Sequence, residues 1–281
     1  MCALGVHILP ASPKGSLSRL LKKTRCWGLI FLIGTHSPAL GSDVSVPEPK
    51  ISRKDFSGRW MLLEVASTEA ELVVLGAVDS ELQVALLLDL RHEDNRLYGK
   101  GQVCMFRLRS PTSLVRVEFP RAFRNALSQP VLDAELVYKD KTTLFRQSPL
   151  FLVMGASLRR PRGDPLPSHQ LDPRVTDADG DGKPGVTVRV HGLIDGEIYL
   201  VQRTWSALRG RSVHAERFEG NLVHGKEEVV LGATHQILSV FPTTRPNPDK
   251  SFFVMEKTTD DAGCDEANLR LERVVEERAL H

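Results

Sequence analysis

Short hydrophobic runs alternate with polar turn residues from Phe56 onward. In several runs apolar and polar residues alternate one by one, so that Val186, Val188 and Val190 would share one face of a strand. Strand-length runs separated by Gly, Pro and Asp-Asn are typical of antiparallel sandwiches and barrels. The pattern therefore predicts an all-β fold, a barrel or sandwich of antiparallel strands.

Two segments do not follow this alternation. Leu82–Leu90 is almost continuously apolar, which fits either a strand buried on both faces or a helix, because periodicity alone cannot separate the two. Glu266–Leu280 is highly charged, and we expect a short helix there.

The chain also predicts a division into two parts. Residues 159–174 contain four prolines and several charges, which indicates an exposed connection between a first β half, 55–158, and a second β half, 175–281. A duplicated β unit would place an early Trp and a late Cys in each half, and this order is present in the chain: Trp60 and Cys104, then Trp205 and Cys264.

The first 41 residues predict a secretion signal. A basic region without acidic residues precedes the apolar run Cys26–Gly34, and small residues follow at Ala39 and Gly41. The run is far shorter than the roughly 20 residues of a membrane span. The alternative to a secretion signal is a buried strand or helix near the N-terminus. Polar residues 42–54 then predict a disordered spacer. We expect an exported protein of the periplasm, cell envelope or extracellular space, with no membrane span in the mature chain.

The net charge changes sign when residues 1–41 are left out. The whole chain has 37 basic and 35 acidic residues and a net charge of +2, whereas residues 42–281 hold 32 basic and 35 acidic residues, a net charge of −3. Nucleic-acid binding needs a concentrated basic surface, so we expect no nucleic-acid partner.

Cysteine usage agrees with an oxidising compartment. Outside the predicted signal the chain retains only Cys104 and Cys264, an even pair. We predict a disulfide bond between them, with two buried free thiols as the alternative. A zinc site is disfavoured because neither cysteine has a second ligand at metal-binding spacing.

The sharpest local motif places three aspartates at alternate positions before glycine: Asp177, Asp179 and Asp181. Close carboxylates repel one another unless a cation neutralises them, and Ca²⁺ prefers several oxygen ligands at flexible geometry. The segment resembles the D-x-D-x-D-G calcium loops of EF-hands, dockerins and thrombospondin-type repeats. That resemblance implies side-chain ligation by the three aspartates and carbonyl ligation by Lys183.

This loop departs from the EF-hand pattern at its end. Val188 stands where the bidentate Glu would fall, so a further ligand must come from elsewhere, with Asp172 and Asp195 nearest in sequence. A polar turn without a cation is the alternative.

A second resemblance lies at the start of the β region. Gly58 and Trp60 match the G-x-W motif that opens lipocalins, in which the Trp closes one end of the barrel. The resemblance covers about 12 residues and implies an interior apolar pocket.

No local catalytic motif is present, including the nucleophile elbow, the zinc-protease helix and the phosphate loop. We therefore expect a non-enzymatic, exported binding or structural β module with a structural calcium site and an unknown small-molecule or protein partner. The alternatives are a lipocalin-like carrier of a small apolar ligand and a secreted hydrolase without a local motif.

Overall fold

The computed structural model describes residues 54–72, 76–110, 115–127, 129–192, 194–239 and 244–279. The predicted secretion signal, residues 1–41, lies outside these ranges. Of the predicted spacer, 42–54, only Lys54 is described.

The described residues are 59% strand and 14% helix, which confirms the all-β class. They form twelve strands and two α-helices, whose bounds follow. The strands are β1 (Gly58–Leu72), β2 (Gly76–Glu93), β3 (Arg96–Arg109), β4 (Val115–Glu118), β5 (Val131–Lys139), β6 (Thr142–Gln147), β7 (Leu150–Met154), β8 (Val186–Gly192), β9 (Gly196–His214), β10 (Arg217–Ala233), β11 (Thr244–Pro246) and β12 (Phe252–Lys257). The helices are α1 (Arg121–Ala126) and α2 (Cys264–Ala279).

Eight of these strands close into a ring. Each pairs antiparallel with the next in the order β1, β2, β3, β5, β6, β9, β10 and β12, and β12 returns to β1. The ring strands therefore follow one another in chain order, with β4, β7, β8 and β11 outside the ring, and this order defines an up-and-down barrel. Strands from both predicted halves contribute to this one ring.

The ring is complete at one end of the long strands. There Arg96–Lys100 of β3 pairs with β5, and Trp60–Val65 of β1 pairs with β12. Toward the other end β3 continues along β2 to Arg109, while β9 leaves β6 and pairs with β7 and then β8. The barrel therefore opens into two walls, one built on β1–β3 and one on β8–β10.

Aromatic and leucine side chains fill the complete end. Trp60 is fully buried and its indole Nε1 donates to the carbonyl oxygen of Phe56 at 2.8 Å. The Phe218 ring lies 5.8 Å from the Trp60 ring and 5.4 Å from that of Phe145, measured between centroids. These contacts fill the complete end of the barrel.

The outer face of β1 and β2 is also buried. Met61, Leu63 and Leu87 point away from the barrel interior and pack beneath Leu271 and Val274 of α2. This explains why Leu82–Leu90 is almost continuously apolar: the segment lies within β2 and is covered on both faces. The charged segment near the end of the chain is the predicted helix, and its apolar stripe covers the sheet.

A disulfide bond fixes α2 to the barrel. Cys104 lies at a bulge in β3, where the register shifts between Ala85 and Leu86 of β2. It is bonded to Cys264, the first residue of α2, with the two Cα atoms 4.9 Å apart. This is the pairing that the cysteine count predicts.

Neither α-helix in the described ranges combines the length and apolar character needed to cross a bilayer.

Candidate functional site

The aspartate loop lies between the Pro-rich connection and β8. Oxygen atoms of Asp177, Asp179 and Asp181 all lie within 4.8 Å of one another, so the three carboxylates are placed to hold a metal ion. Gly180 and Gly182 adopt positive φ angles of 71° and 81°, which only glycine takes readily. The sequence motif therefore folds into a tight turn with its acids converging.

Backbone N–H groups shape this turn. The Asp177 carboxylate accepts hydrogen bonds from the backbone N–H of Gly180 at 2.8 Å, of Asp181 at 3.1 Å and of Gly182 at 2.9 Å. A carboxylate has about four acceptor positions, so these bonds leave capacity for a cation.

Asp179 is the least satisfied acid of the three. Its Oδ2 accepts from the backbone N–H of Thr187 at 2.9 Å, but its Oδ1 is buried and has no hydrogen-bond partner among the described residues. Burial raises the pKa of Asp179, and repulsion from Asp181 and Asp177 acts in the same direction. An orphaned, buried carboxylate oxygen beside two further carboxylates fits a divalent cation.

The other predicted ligands have different surroundings. Asp172 binds the guanidinium of Arg174, with an Oδ2 to Nη2 distance of 2.7 Å, and this pairing lowers its pKa to about 2. Asp195 accepts from the backbone N–H of Gly192 at 3.2 Å. Lys183 donates its backbone N–H to Asp181 Oδ1 at 2.9 Å. The structure thus brings the three loop aspartates together, and Lys183 contacts Asp181 through its backbone N–H.

Thr187 connects this loop to the second wall of the barrel. Besides the bond to Asp179, its hydroxyl donates to Asp181, and Thr187 belongs to β8. Its neighbours Val186 and Val188 pack with Ile198 and Leu200 of β9. Neutralising the three loop carboxylates would therefore stabilise β8, the strand that follows the loop.

A large cavity separates the two walls of the open end. Its volume is about 1500 Å³, above the roughly 300–1000 Å³ of most small-molecule pockets. Apolar side chains dominate the lining, and they come from both walls: Val78, Leu82, Val84, Val103, Phe106, Val188, Ile198, Leu200 and Leu222.

Exposed apolar residues also border this cavity. Ile237 is 64% exposed, and Leu150 and Val131 are each 47% exposed. Exposed hydrophobic groups around a concave surface are typical of ligand-binding sites.

A few polar groups reach the same space. They include Glu64 on β1, and His224, Lys226 and Glu228 on β10. The Lys226 ammonium lies 2.9 Å from Glu228 Oε1, so these two neutralise each other. Glu64 has no corresponding partner among the described residues.

His224 and Ser251 form a contact that bears on the hydrolase alternative. His224 Nε2 lies 3.1 Å from Ser251 Oγ and equally far from the carbonyl oxygen of Ser67. Ser251 is only 1% exposed, and its hydroxyl donates to the carbonyl oxygen of Asn247 at 2.6 Å. Burial lowers the pKa of His224. Through these hydrogen bonds the buried Ser251 hydroxyl links β1, β10 and the Pro248–Lys250 turn.

Sequence reasoning missed Glu64, although the lipocalin resemblance implied an interior apolar pocket. A signal was available, since Trp60, Leu62, Glu64 and Ala66 alternate along β1 and an acid occupies an interior position. The polar residue that breaks a buried pattern is often functional.

Comparison with protein-family models, with curated proteins and with solved structures finds no match to this chain. The fold and these two sites define the molecule as an antiparallel barrel that is complete at one end, with a cavity at its open end and an acidic loop on one wall.

Proposed function

We propose that this protein is an exported, non-catalytic carrier that holds a small apolar ligand in its barrel, with a structural calcium ion in the aspartate loop. The single observation that carries the proposal is the apolar cavity of about 1500 Å³ between the two walls. A barrel whose interior was needed only for stability would pack it to the density of a normal protein core.

The division of labour within the barrel supports this function. The complete end is filled around Trp60 and Phe218, so it supplies stability. At the open end Phe123, Ile198 and Leu200 are buried in a separate cluster, and the cavity lies against them. Exposed apolar residues border this cavity, so it is available to a ligand. The same division, with a Trp at the closed end, is what the lipocalin resemblance implies.

Calcium is the metal that the loop chemistry favours. Ca²⁺ accepts six to eight oxygen ligands at adaptable geometry, whereas Mg²⁺ requires a stricter octahedron. Asp177, Asp179 and Asp181 supply carboxylate oxygens, and Lys183 is the candidate carbonyl ligand. Bound there, the ion neutralises the three acids, while Thr187 transmits the order of the loop to β8.

Export is supported by the disulfide bond between Cys104 and Cys264, because such bonds persist in oxidising compartments. The basic and apolar pattern of residues 1–41 points the same way.

Saturable binding of N-phenyl-1-naphthylamine, a neutral apolar probe that fluoresces in hydrophobic surroundings, tests the carrier. We expect one saturable site in the wild-type protein. Ala66 lines the cavity, so Ala66→Phe should fill part of it and weaken binding by about tenfold or more.

Val223→Phe is the matched control. Val223 is 48% exposed and lies on β10 between the interior residues Leu222 and His224, so its side chain points outward. Equal binding by Ala66→Phe, Val223→Phe and wild type would contradict an interior site, and absence of binding by all three would overturn the carrier.

A further inference from the structure

Glu64 occupies an unusual position inside the barrel. It lies between Leu62 and Ala66 on the interior face of β1, and its side chain lines the cavity. Its partners in the neighbouring strands are Val84 of β2 and Phe253 of β12, both apolar. A carboxyl group therefore lies at the junction between the filled end and the cavity.

No described residue satisfies this carboxyl group. In the described ranges Glu64 has neither a hydrogen bond nor an ion pair, although the other acid lining the cavity, Glu228, is paired with Lys226. Burial alone raises the pKa of Glu64 to about 7, with no contribution from a charged neighbour. An ionised carboxylate in apolar surroundings is destabilising unless a counter-charge compensates it.

We propose that Glu64 binds the basic nitrogen of the ligand, so that the cavity takes an apolar amine. This inference rests on the proposed carrier function and names its ligand class. The ammonium group would lie against Glu64 at the bottom of the cavity, and the hydrocarbon part would extend along Val84, Val103 and Leu222.

Charge distinguishes an amine from its analogues. A carboxylate attracts an ammonium strongly in low-dielectric surroundings, whereas it repels a fatty acid. An alcohol of the same length can donate one hydrogen bond to the carboxylate, but it carries no positive charge to neutralise it. Apolar contacts would be the same for all three, so a preference that Glu64→Gln removes reports on Glu64.

Other titratable groups line the cavity, and their charge at a given pH also affects ligand binding. They are Arg109, Arg116, His191, His224, Lys226 and Glu228. Burial lowers the pKa of His224, so this ring is neutral at pH 8, and Glu228 neutralises Lys226. At that pH Glu64 is ionised and the amine is protonated.

Titration calorimetry with decylamine, decanol and decanoate at pH 8 tests the proposal in the purified full chain. We expect wild type to bind decylamine about tenfold or more tightly than either analogue. Glu64→Gln should lose this preference while its affinity for decanol stays unchanged. Glu69→Gln is the matched control, because Glu69 is an exposed residue of the same strand and should leave the preference intact.

Decanol also serves as a check on folding, and Glu64→Leu provides a second variant that removes the charge. Unchanged preference for decylamine in both variants, or a preference of wild type for decanoate, would overturn the role of Glu64 while leaving the carrier intact. If wild type binds none of the three compounds nor the neutral naphthylamine probe, the carrier function itself fails.

Discussion

The backbone N–H of Thr187 donates a hydrogen bond to Asp179 Oδ2 at 2.9 Å, so β8, whose Val188 lines the cavity, is hydrogen-bonded directly to the acidic loop. This relationship joins the two candidate sites, because Thr187 lies between Val186 and Val188 of β8. Repulsion within the loop would pull on this bond, and a cation would relieve it. We therefore expect calcium binding in the loop to stabilise β8, a strand of the cavity wall.

Calcium should raise the thermal stability of the wild-type protein. For a site of about 10⁻⁴ M affinity, calcium at about 100 times that concentration adds roughly 2.7 kcal/mol. In a chain of this size the melting temperature should rise by about 5–10 °C, measured by calorimetry. Asp179→Ala should abolish the rise, whereas Asp195→Ala should retain it. A rise that survives in Asp179→Ala would count against the loop.

Without metal, neutralising Asp179 should stabilise the folded protein, whereas in excess calcium it should destabilise it. Its pKa is raised in the folded protein above the ordinary value of 3.8, so ionisation favours unfolding as pH increases through and above that value. Asp179→Asn should therefore be more stable than wild type in chelator at pH 7 and less stable than wild type in excess calcium. Denaturant midpoints in both conditions measure the crossover. A variant that is destabilised in both would contradict the electrostatic account.

Glu64 should make stability fall as pH rises. Because its pKa is about 7 when folded and near 4.5 when unfolded, the folded state binds the proton more tightly and is favoured below pH 4.5. The free energy of unfolding falls as pH rises between these two values, and above pH 7 the loss reaches about 3 kcal/mol. Glu64→Gln should remove it, so the variant should be the more stable protein at pH 8 and close to wild type at pH 4. Parallel pH profiles for the two proteins in urea denaturation would contradict this.

Removing the disulfide bond should destabilise the barrel strongly. The bond between Cys104 and Cys264 spans 160 residues, for which the chain-entropy model gives about 5 kcal/mol. We expect the double variant Cys104→Ala/Cys264→Ala to unfold at much lower denaturant concentration and to be insensitive to reductant. Wild type in reductant should approach the double variant. Equal midpoints for oxidised and reduced wild type would show that the bond contributes little.

Trp60 should be more important for stability than Trp205. Trp60→Phe removes the donor to Phe56 and leaves space in a fully buried cluster, which should cost about 2–4 kcal/mol. Trp205 is only partly buried and stacks on Phe151 with 6.2 Å between ring centroids, so Trp205→Phe should cost less. Chemical denaturation of the two variants measures the difference, and the reverse order would contradict Trp60 as the closing residue.

The sequence predicted the class of fold because the apolar alternation is a local property. It did not predict strand lengths. The segment Ser212–Phe218 resembles one strand but contains the turn between β9 and β10, and Pro149 divides Thr143–Met154 into β6 and β7. Turn positions within apolar runs depend on pairing with distant strands, which a single sequence does not display.

The metal loop was accessible to sequence analysis because its ligands are consecutive. The residues that line the cavity were not, since they come from strands far apart in the chain, and only ring closure brings Glu64 and His224 to one interior. An acid in an apolar alternation was the one available sign.

Pairing of β12 with β1 has a consequence for how the molecule assembles. The two strands lie near opposite ends of the described chain, so the barrel seam cannot form until Phe252–Lys257 has been synthesised. Before then β1 exposes an unpaired edge that invites association with other chains. Assembly is therefore late and slow, because the contact that completes it joins the most distant segments.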